Sequence, residues 1–213
     1  MAANKERKPL EDSLRDFEVA LANERLSTKD YEHYLLQGSE HLTTFFTSGA
    51  VNFTETQKAE AGFSHQDVHV GDARLTGSLD VLEIDEETKE ITVTDYKTGK
   101  PSLSWDKGDD RTKLKLHRYR QQLVFYKLLV ETSRAYGHYR VTNGQLAFVE
   151  PTKTRETAVL DLDLTREDIE RTAKLITAVW NHISVLDLPD TSGYSEDYKG
   201  VLAFEQDLID ELA

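Results

Sequence analysis

The apolar positions of the chain follow two periods, and the switch between them divides it. Over residues 9–24, Leu10, Leu14, Phe17, Val19 and Leu21 recur at near-helical spacing. Ser27-Thr28-Lys29-Asp30 reads as a capped helix start, opening a helix over 28–47 that carries Tyr31, Tyr34, Leu35, Leu42, Phe45 and Phe46. Together they predict an amphipathic helical hairpin. From residue 51 the pattern becomes strand-like, through Phe53–Thr56 and Glu60–Phe63, with His65 and His69 as loop residues. Strands are expected over Arg74–Ile84 and Glu90–Thr98, joined by the short polar run Asp85–Lys89.

Gly99-Lys100-Pro101-Ser102 breaks the second strand, and residues 105–112 read as a mobile loop. Helical spacing returns from Lys113 to about Arg134, through Leu116, Tyr119, Leu123, Tyr126 and Val130, with Gly137 as the cap. His138–Val149, interrupted by Asn143-Gly144, predicts a hairpin, and Arg155–Leu162 predicts a further strand. A capped helix from Asp163 to about Leu186 follows, and a short apolar helix ends the chain. This order predicts an α/β fold, a central mixed β-sheet flanked by helices with an N-terminal helical hairpin.

The strands over 74–98 organise the candidate chemistry. A loop symmetric about the Glu87–Thr88 bond sets Asp80 opposite Asp95, where facing Cβ atoms lie roughly 4.5–5.5 Å apart. Carboxylates that close repel each other unless a cation lies between them, so a bound metal is the natural explanation. Lys97, two residues beyond Asp95, shares its face by the period of a strand. Acids and bases on exposed strands are also ordinary surface decoration, and spacing alone does not choose between the two readings.

Composition narrows the classes. With 213 residues the chain is long enough for a core of its own. No apolar run is long enough to cross a membrane, and the N-terminus lacks the apolar stretch of a signal peptide. The absence of cysteine excludes disulfides, thiolate zinc sites and cysteine-held iron–sulfur clusters, and suits a reducing cytoplasm. A net charge of −13 argues against coating nucleic acid by bulk electrostatics. The one strongly basic segment is Lys107, Arg111, Lys113, Lys115, Arg118 and Arg120, with His117: a solvated helix face, or, beside an acid–lysine site, a track for phosphates.

Three motifs then occur in order: Gly77-Ser-Leu-Asp80, Asp95-Tyr-Lys97-Thr-Gly99, and Gln122-Leu-Val-Phe-Tyr126. Over roughly residues 55–160 the chain resembles the PD-(D/E)xK nuclease superfamily, and within it the RecB-like nuclease domains at the C-termini of UvrD/RecB-type DNA helicases. The resemblance implies a restriction-endonuclease-like core in which Asp80, Asp95 and the Tyr96 carbonyl hold Mg²⁺ or Mn²⁺. It further implies that Lys97 orients the attacking water and stabilises charge on phosphorus, with Gln122 and Tyr126 placing the lysine or a phosphate. Gln121 is a weaker candidate, and Glu60 matches a glutamate often found before the G-x-x-D strand.

Two family features differ. No G-x-x-x-H element occurs in the first fifty residues, where Gly38-Ser-Glu-His41 is one residue short, and the four-cysteine iron–sulfur cluster of many relatives is absent. The expectation is a single nuclease domain over 1–213 (helical 1–50, core 51–162, C-terminal helices 163–213), a fragment of a larger helicase. Its partners are DNA and the motor domains of that polypeptide or a repair complex, with no membrane. Its activity is Mg/Mn-dependent DNA hydrolysis, as an exonuclease ahead of an endonuclease. The alternative is a catalytically incomplete module serving DNA binding or protein docking.

Overall fold

The computed structural model describes residues 8–50 and 54–212. Helices α1 (Leu10–Asn23) and α2 (Thr28–Thr47) form the N-terminal hairpin, and the Ser27 side chain caps α2 by accepting from the Asp30 N–H. Gly38 lets the two helices touch, because a Cβ there would collide with the Phe17 ring. Strand β1 (Gln57–Gly62) follows, then the small hairpin β2 (Val68–Val70) and β3 (Ala73–Leu75), then β4 (Ser78–Asp85) and β5 (Glu90–Lys97). The long helix α3 (Asp110–Thr132) leads to β6 (Arg140–Phe148), β7 (Val159–Asp163), α4 (Arg166–Val185) and α5 (Tyr198–Asp210). None of the helices is long and apolar enough to cross a membrane, among the described residues.

Five strands form one mixed sheet in the order β1-β4-β5-β6-β7. All neighbours are antiparallel except β5 and β6, which run parallel because α3 carries the chain back across the sheet. The expected fold class is therefore the observed one, helical hairpin included. On the α3 face, Leu82 and Ile84 of β4, Ile91 and Val93 of β5, and Leu146 and Phe148 of β6 join Leu116, Leu123 and Leu129 of α3 in one buried cluster. Fully buried side chains of this size contribute about 1.5–3 kcal/mol each, so the sheet and α3 are fixed firmly to each other. The second half of α3 is buried over nearly its whole circumference, Leu123 and Val124 through Val130, since α4 packs on its far side.

Several expectations need correcting. The strand expected over Arg74–Ile84 is two: Ala73–Leu75 pairs with Val68–Val70 across a turn in which Gly71 takes φ +55°, and β4 starts only at Ser78. Consequently His69 lies in a strand rather than a loop, with its ring 3.3 Å from Asp67, while His65 remains outside strands and helices. Between the two, Gly77 brings the backbone against α3, where a Cβ would lie 3.0 Å from Leu129 Cδ1.

Asn143-Gly144 makes no turn. It lies inside the continuous strand β6, where the pairing with β5 skips Thr142 and forms a bulge. Gly144 is required there by close packing, since a Cβ would come within 3.3 Å of both Leu123 and Leu164. Gly137 is not the cap of α3, which ends at Thr132 with Ser133 as its cap; its N–H bonds back to the Ser133 carbonyl in the following turn. In the segment expected as a mobile loop, Trp105 Nε1 donates to the Asp161 carbonyl over 2.6 Å, and from Asp110 the chain is already helix, capped by Asp109. Of the strand expected at Phe53–Thr56, Phe53 lies outside the described residues and residues 54–56 precede β1.

Candidate active site

The β4–β5 hairpin has the register its symmetric loop implies, with Val81 facing Thr94, Leu82 facing Val93 and Ile84 facing Ile91. Its ladder stops at Val81–Thr94, one step short of Asp80 and Asp95. Beyond that rung the Tyr96 N–H turns to the Asp80 side chain and donates to Oδ2 over 2.8 Å. The strands thus part where the two acids stand, and a carboxylate takes the place of a backbone acceptor. No donor reaches the other oxygen of Asp80 among the described residues.

Asp95 and Lys97 point to the α3 face, where they enter a closed circuit. Lys97 Nζ donates to Gln122 Oε1 over 2.7 Å. Gln122 Nε2 donates to the Tyr126 hydroxyl over 2.7 Å, and that hydroxyl donates to Asp95 Oδ1 over 2.9 Å. The circuit closes with Lys97 Nζ 2.5 Å from Asp95 Oδ2, an ion pair whose side chains are 15% and 4% exposed. Each link fixes the sense of the next. A carboxylate only accepts and an ammonium only donates, so the tyrosine must give its proton to Asp95 and the glutamine must turn its oxygen to the lysine.

Burial and charge act on the two tyrosines around the lysine. Burial pushes the Tyr126 hydroxyl well above the usual tyrosine range, reinforced by the Asp95 charge and its hydrogen bond. Burial and the Asp95 charge also raise Tyr119, whose ring centroid lies 4.2 Å from Lys97 Nζ. Sequence reasoning did not assign Tyr119 to the site. The signal was present, because it precedes Gln122 by three residues and so shares the helix face of Gln122 and Tyr126. On the opposite sheet face, the Tyr96 ring meets Phe45 of α2 edge-on at 5.6 Å, which ties the helical hairpin to the strand bearing both Asp95 and Lys97.

The structure therefore brings Asp95, Lys97, Gln122 and Tyr126 together and sets Asp80 at the adjoining backbone. It does not recruit Gln121, whose Nε2 donates instead to Glu205 over 2.8 Å. Glu60 stands at the register position beside Asp80, but its φ of +51° breaks the rung and its side chain is exposed. The basic segment of α3 is only partly open: Arg120 pairs with Asp168, His117 with Glu205, and Lys115 donates to the Lys100 carbonyl. Lys107, Arg111, Lys113 and Arg118 are exposed and have no ion pair among the described residues.

The donors suit a hard cation. Asp95 Oδ2 is buried with no hydrogen-bond donor aligned on it, although the Lys97 ammonium is in contact, and Asp80 offers a further oxygen. Among the described residues no third His, Cys, Asp or Glu gathers with them. Comparison with curated proteins finds no match for the chain. A family model does match, that of the PD-(D/E)XK nuclease superfamily, over residues 2–194. Since the match spans nearly every element from the helical hairpin to α4, and the motif residues converge at one end of the sheet, the chain belongs to the PD-(D/E)XK nuclease superfamily.

Proposed function

We propose that this chain is a metal-dependent DNA nuclease domain that hydrolyses phosphodiester bonds at Asp80, Asp95 and Lys97, with Gln122 and Tyr126 as positioning residues. It acts as an exonuclease rather than an endonuclease. Residues 1–213 form one RecB-like unit working beside the motor domains of a UvrD/RecB-type repair helicase. The observation that carries the chemistry is the closed circuit, in which a half-buried lysine is held by both a carboxylate and an amide beside a second carboxylate, a combination typical of functional sites.

Asp80, Asp95 and the Tyr96 carbonyl would hold Mg²⁺ or Mn²⁺, which when bound supplies a Lewis acid that acidifies water and withdraws charge from a phosphoryl oxygen. The chain's own part is orientation. The Lys97 ammonium has three protons, one committed to Gln122, and it rests against Asp95 Oδ2 without an aligned hydrogen bond, which leaves a proton for a phosphoryl oxygen or the attacking water. Tyr126 donates to Asp95 Oδ1, and its hydroxyl, pushed above the usual tyrosine range, keeps the proton that makes this bond. Tyr119 covers the ammonium and limits its access to bulk water.

The test is cleavage of labelled linear single- and double-stranded DNA with Mg²⁺, Mn²⁺ or EDTA, run beside Lys97→Ala. Metal-dependent degradation lost in the variant supports the reading, and undiminished degradation by the variant sinks the role of Lys97. That no third acidic or histidine group stands beside the two aspartates among the described residues favours a second reading, a catalytically incomplete module that binds DNA or docks a protein. Manganese titration separates the two: stoichiometric binding lost in Asp95→Asn supports the nuclease, and no binding supports the module.

A further inference from the structure

Beside the circuit lies an open groove of about 470 Å³ between β3, α3 and α4. Its walls are mainly apolar, with Leu75, Phe125, Leu175, Ile176 and Trp180 among them. Gln122, the residue that holds the Lys97 ammonium, forms part of the lining. Two arginines, Arg74 and Arg118, also line it, and neither has a carboxylate partner among the described residues; Arg74 donates only to the Ser64 carbonyl. In a protein with a net charge of −13, two arginines at an apolar groove without a carboxylate partner among the described residues are uncovered positive charge.

We infer that this groove receives unpaired bases of single-stranded DNA, with the strand's phosphates on Arg118 and Arg74 and the next phosphodiester delivered to Lys97. The inference rests on the nuclease reading and deepens it by naming the substrate class. An intact duplex keeps its bases stacked inside and presents only its backbone, for which an apolar, aromatic-walled groove offers nothing. A single strand presents both parts at once: faces that stack on Trp180 or Phe125, and phosphates that take arginine. Because Gln122 belongs to both the groove and the circuit, a strand seated here reaches the reacting groups without crossing the rest of the surface.

The experiment is fluorescence anisotropy of a labelled oligothymidylate and of a blunt duplex of equal length, in EDTA so that binding is read without cleavage. The intact chain should bind the single strand more tightly than the duplex. Trp180→Ala should weaken single-strand binding about tenfold, in keeping with the loss of one stacked base. Trp180→Phe should restore most of it. Arg118→Ala should also weaken it and reduce the slope of log affinity against log salt by about one. Duplex affinity should change in none of the three.

Equal affinity for the two DNAs, or indifference to both Trp180→Ala and Arg118→Ala, would overturn the inference and leave the groove as a protein-docking face. Failure of the underlying reading shows differently. Groove-dependent binding without metal-dependent cleavage by the intact chain removes the nuclease and keeps the groove, whereas cleavage with groove-indifferent binding removes the groove alone.

Discussion

The hydroxyl of Tyr126 donates to Asp95 Oδ1 across 2.9 Å and accepts from Gln122 Nε2 across 2.7 Å, so one tyrosine links the helix and the strand of the candidate site. Tyr126→Phe removes both bonds while keeping the ring in the core. It leaves the buried Asp95 Oδ1 without its donor and the half-buried Gln122 Nε2 without its acceptor, a loss of about 1–3 kcal/mol for the buried oxygen. The expected result is a lower denaturant midpoint with an unchanged slope, together with a loss of cleavage that more metal does not restore. If cleavage is unaltered, Tyr126 is a core tyrosine only.

Lys97 and Asp95 form a nearly buried ion pair, and its stability can be tested apart from any reaction. Lys97→Ala leaves the Asp95 charge buried without its cation, a change that costs about 3–5 kcal/mol where the remaining group stays charged. In EDTA the variant should therefore melt well below the parent, and the double variant Lys97→Ala/Asp95→Asn should recover much of the loss. Manganese should raise the melting temperature of Lys97→Ala more than that of the parent, since the cation replaces the missing ammonium beside Asp80 and Asp95. Equal shifts in the two proteins would mean that the metal binds elsewhere.

These residues also show how much of the site was legible in the sequence. The register of the β4–β5 hairpin, which runs to the rung before Asp80 and Asp95, followed from strand period and loop length, both local, and Gln122 and Tyr126 shared a face by helical spacing alone. What the sequence hid depends on which helix covers which strand. Gln121 and Gln122 are adjacent and chemically identical, yet one bonds Glu205 from α5 and the other Lys97 from β5. The strand break at Gly77 and the parallel course of β6 were hidden for the same reason, since in both places a glycine answers to the approach of α3 rather than to its own neighbours in the chain.

Glu205 gives a pH test outside the site. It is buried on α5 and lies 2.8 Å from both His117 Nε2 and Gln121 Nε2, with Arg171 at 3.5 Å. Burial pushes its carboxyl up, but the hydrogen bond and charge of His117, with Gln121 and Arg171, bring the net value below the usual glutamate range. A folded-state value lower than the unfolded one stabilises the protein above the ordinary glutamate pKa, about 4.3, and that stability is lost as pH falls through the folded value. Comparing melting temperatures with Glu205→Gln between pH 3 and 7 should show the parent ahead at neutral pH and the gap closing below about pH 4.5. A gap independent of pH would mean that packing, not charge, holds α5 against α3.

Gly144 separates the two accounts of β6 most directly. In a two-residue hairpin turn the glycine is needed for its positive φ, and a small side chain there would spoil the turn whatever surrounds it. In the structure Gly144 is an ordinary strand residue facing Leu162, and its constraint is space: a Cβ would lie 3.3 Å from Leu123 Cβ and from Leu164 Cδ1. Leu123 Cβ is carried by the backbone of α3 and yields only if the helix shifts. Gly144→Ala should therefore cost about 1–3 kcal/mol, as overpacking does. The share of that cost due to Leu123 Cδ1, which would also lie 3.3 Å away, should return when Leu123→Ala is added, while the Cβ contact stays; Leu123→Ala alone costs about 2–5 kcal/mol. Such coupling between positions 144 and 123, measured by a double-mutant cycle in urea, is required by strand packing and has no place in a turn. Strict additivity of the two substitutions would return Asn143-Gly144 to the role of a turn.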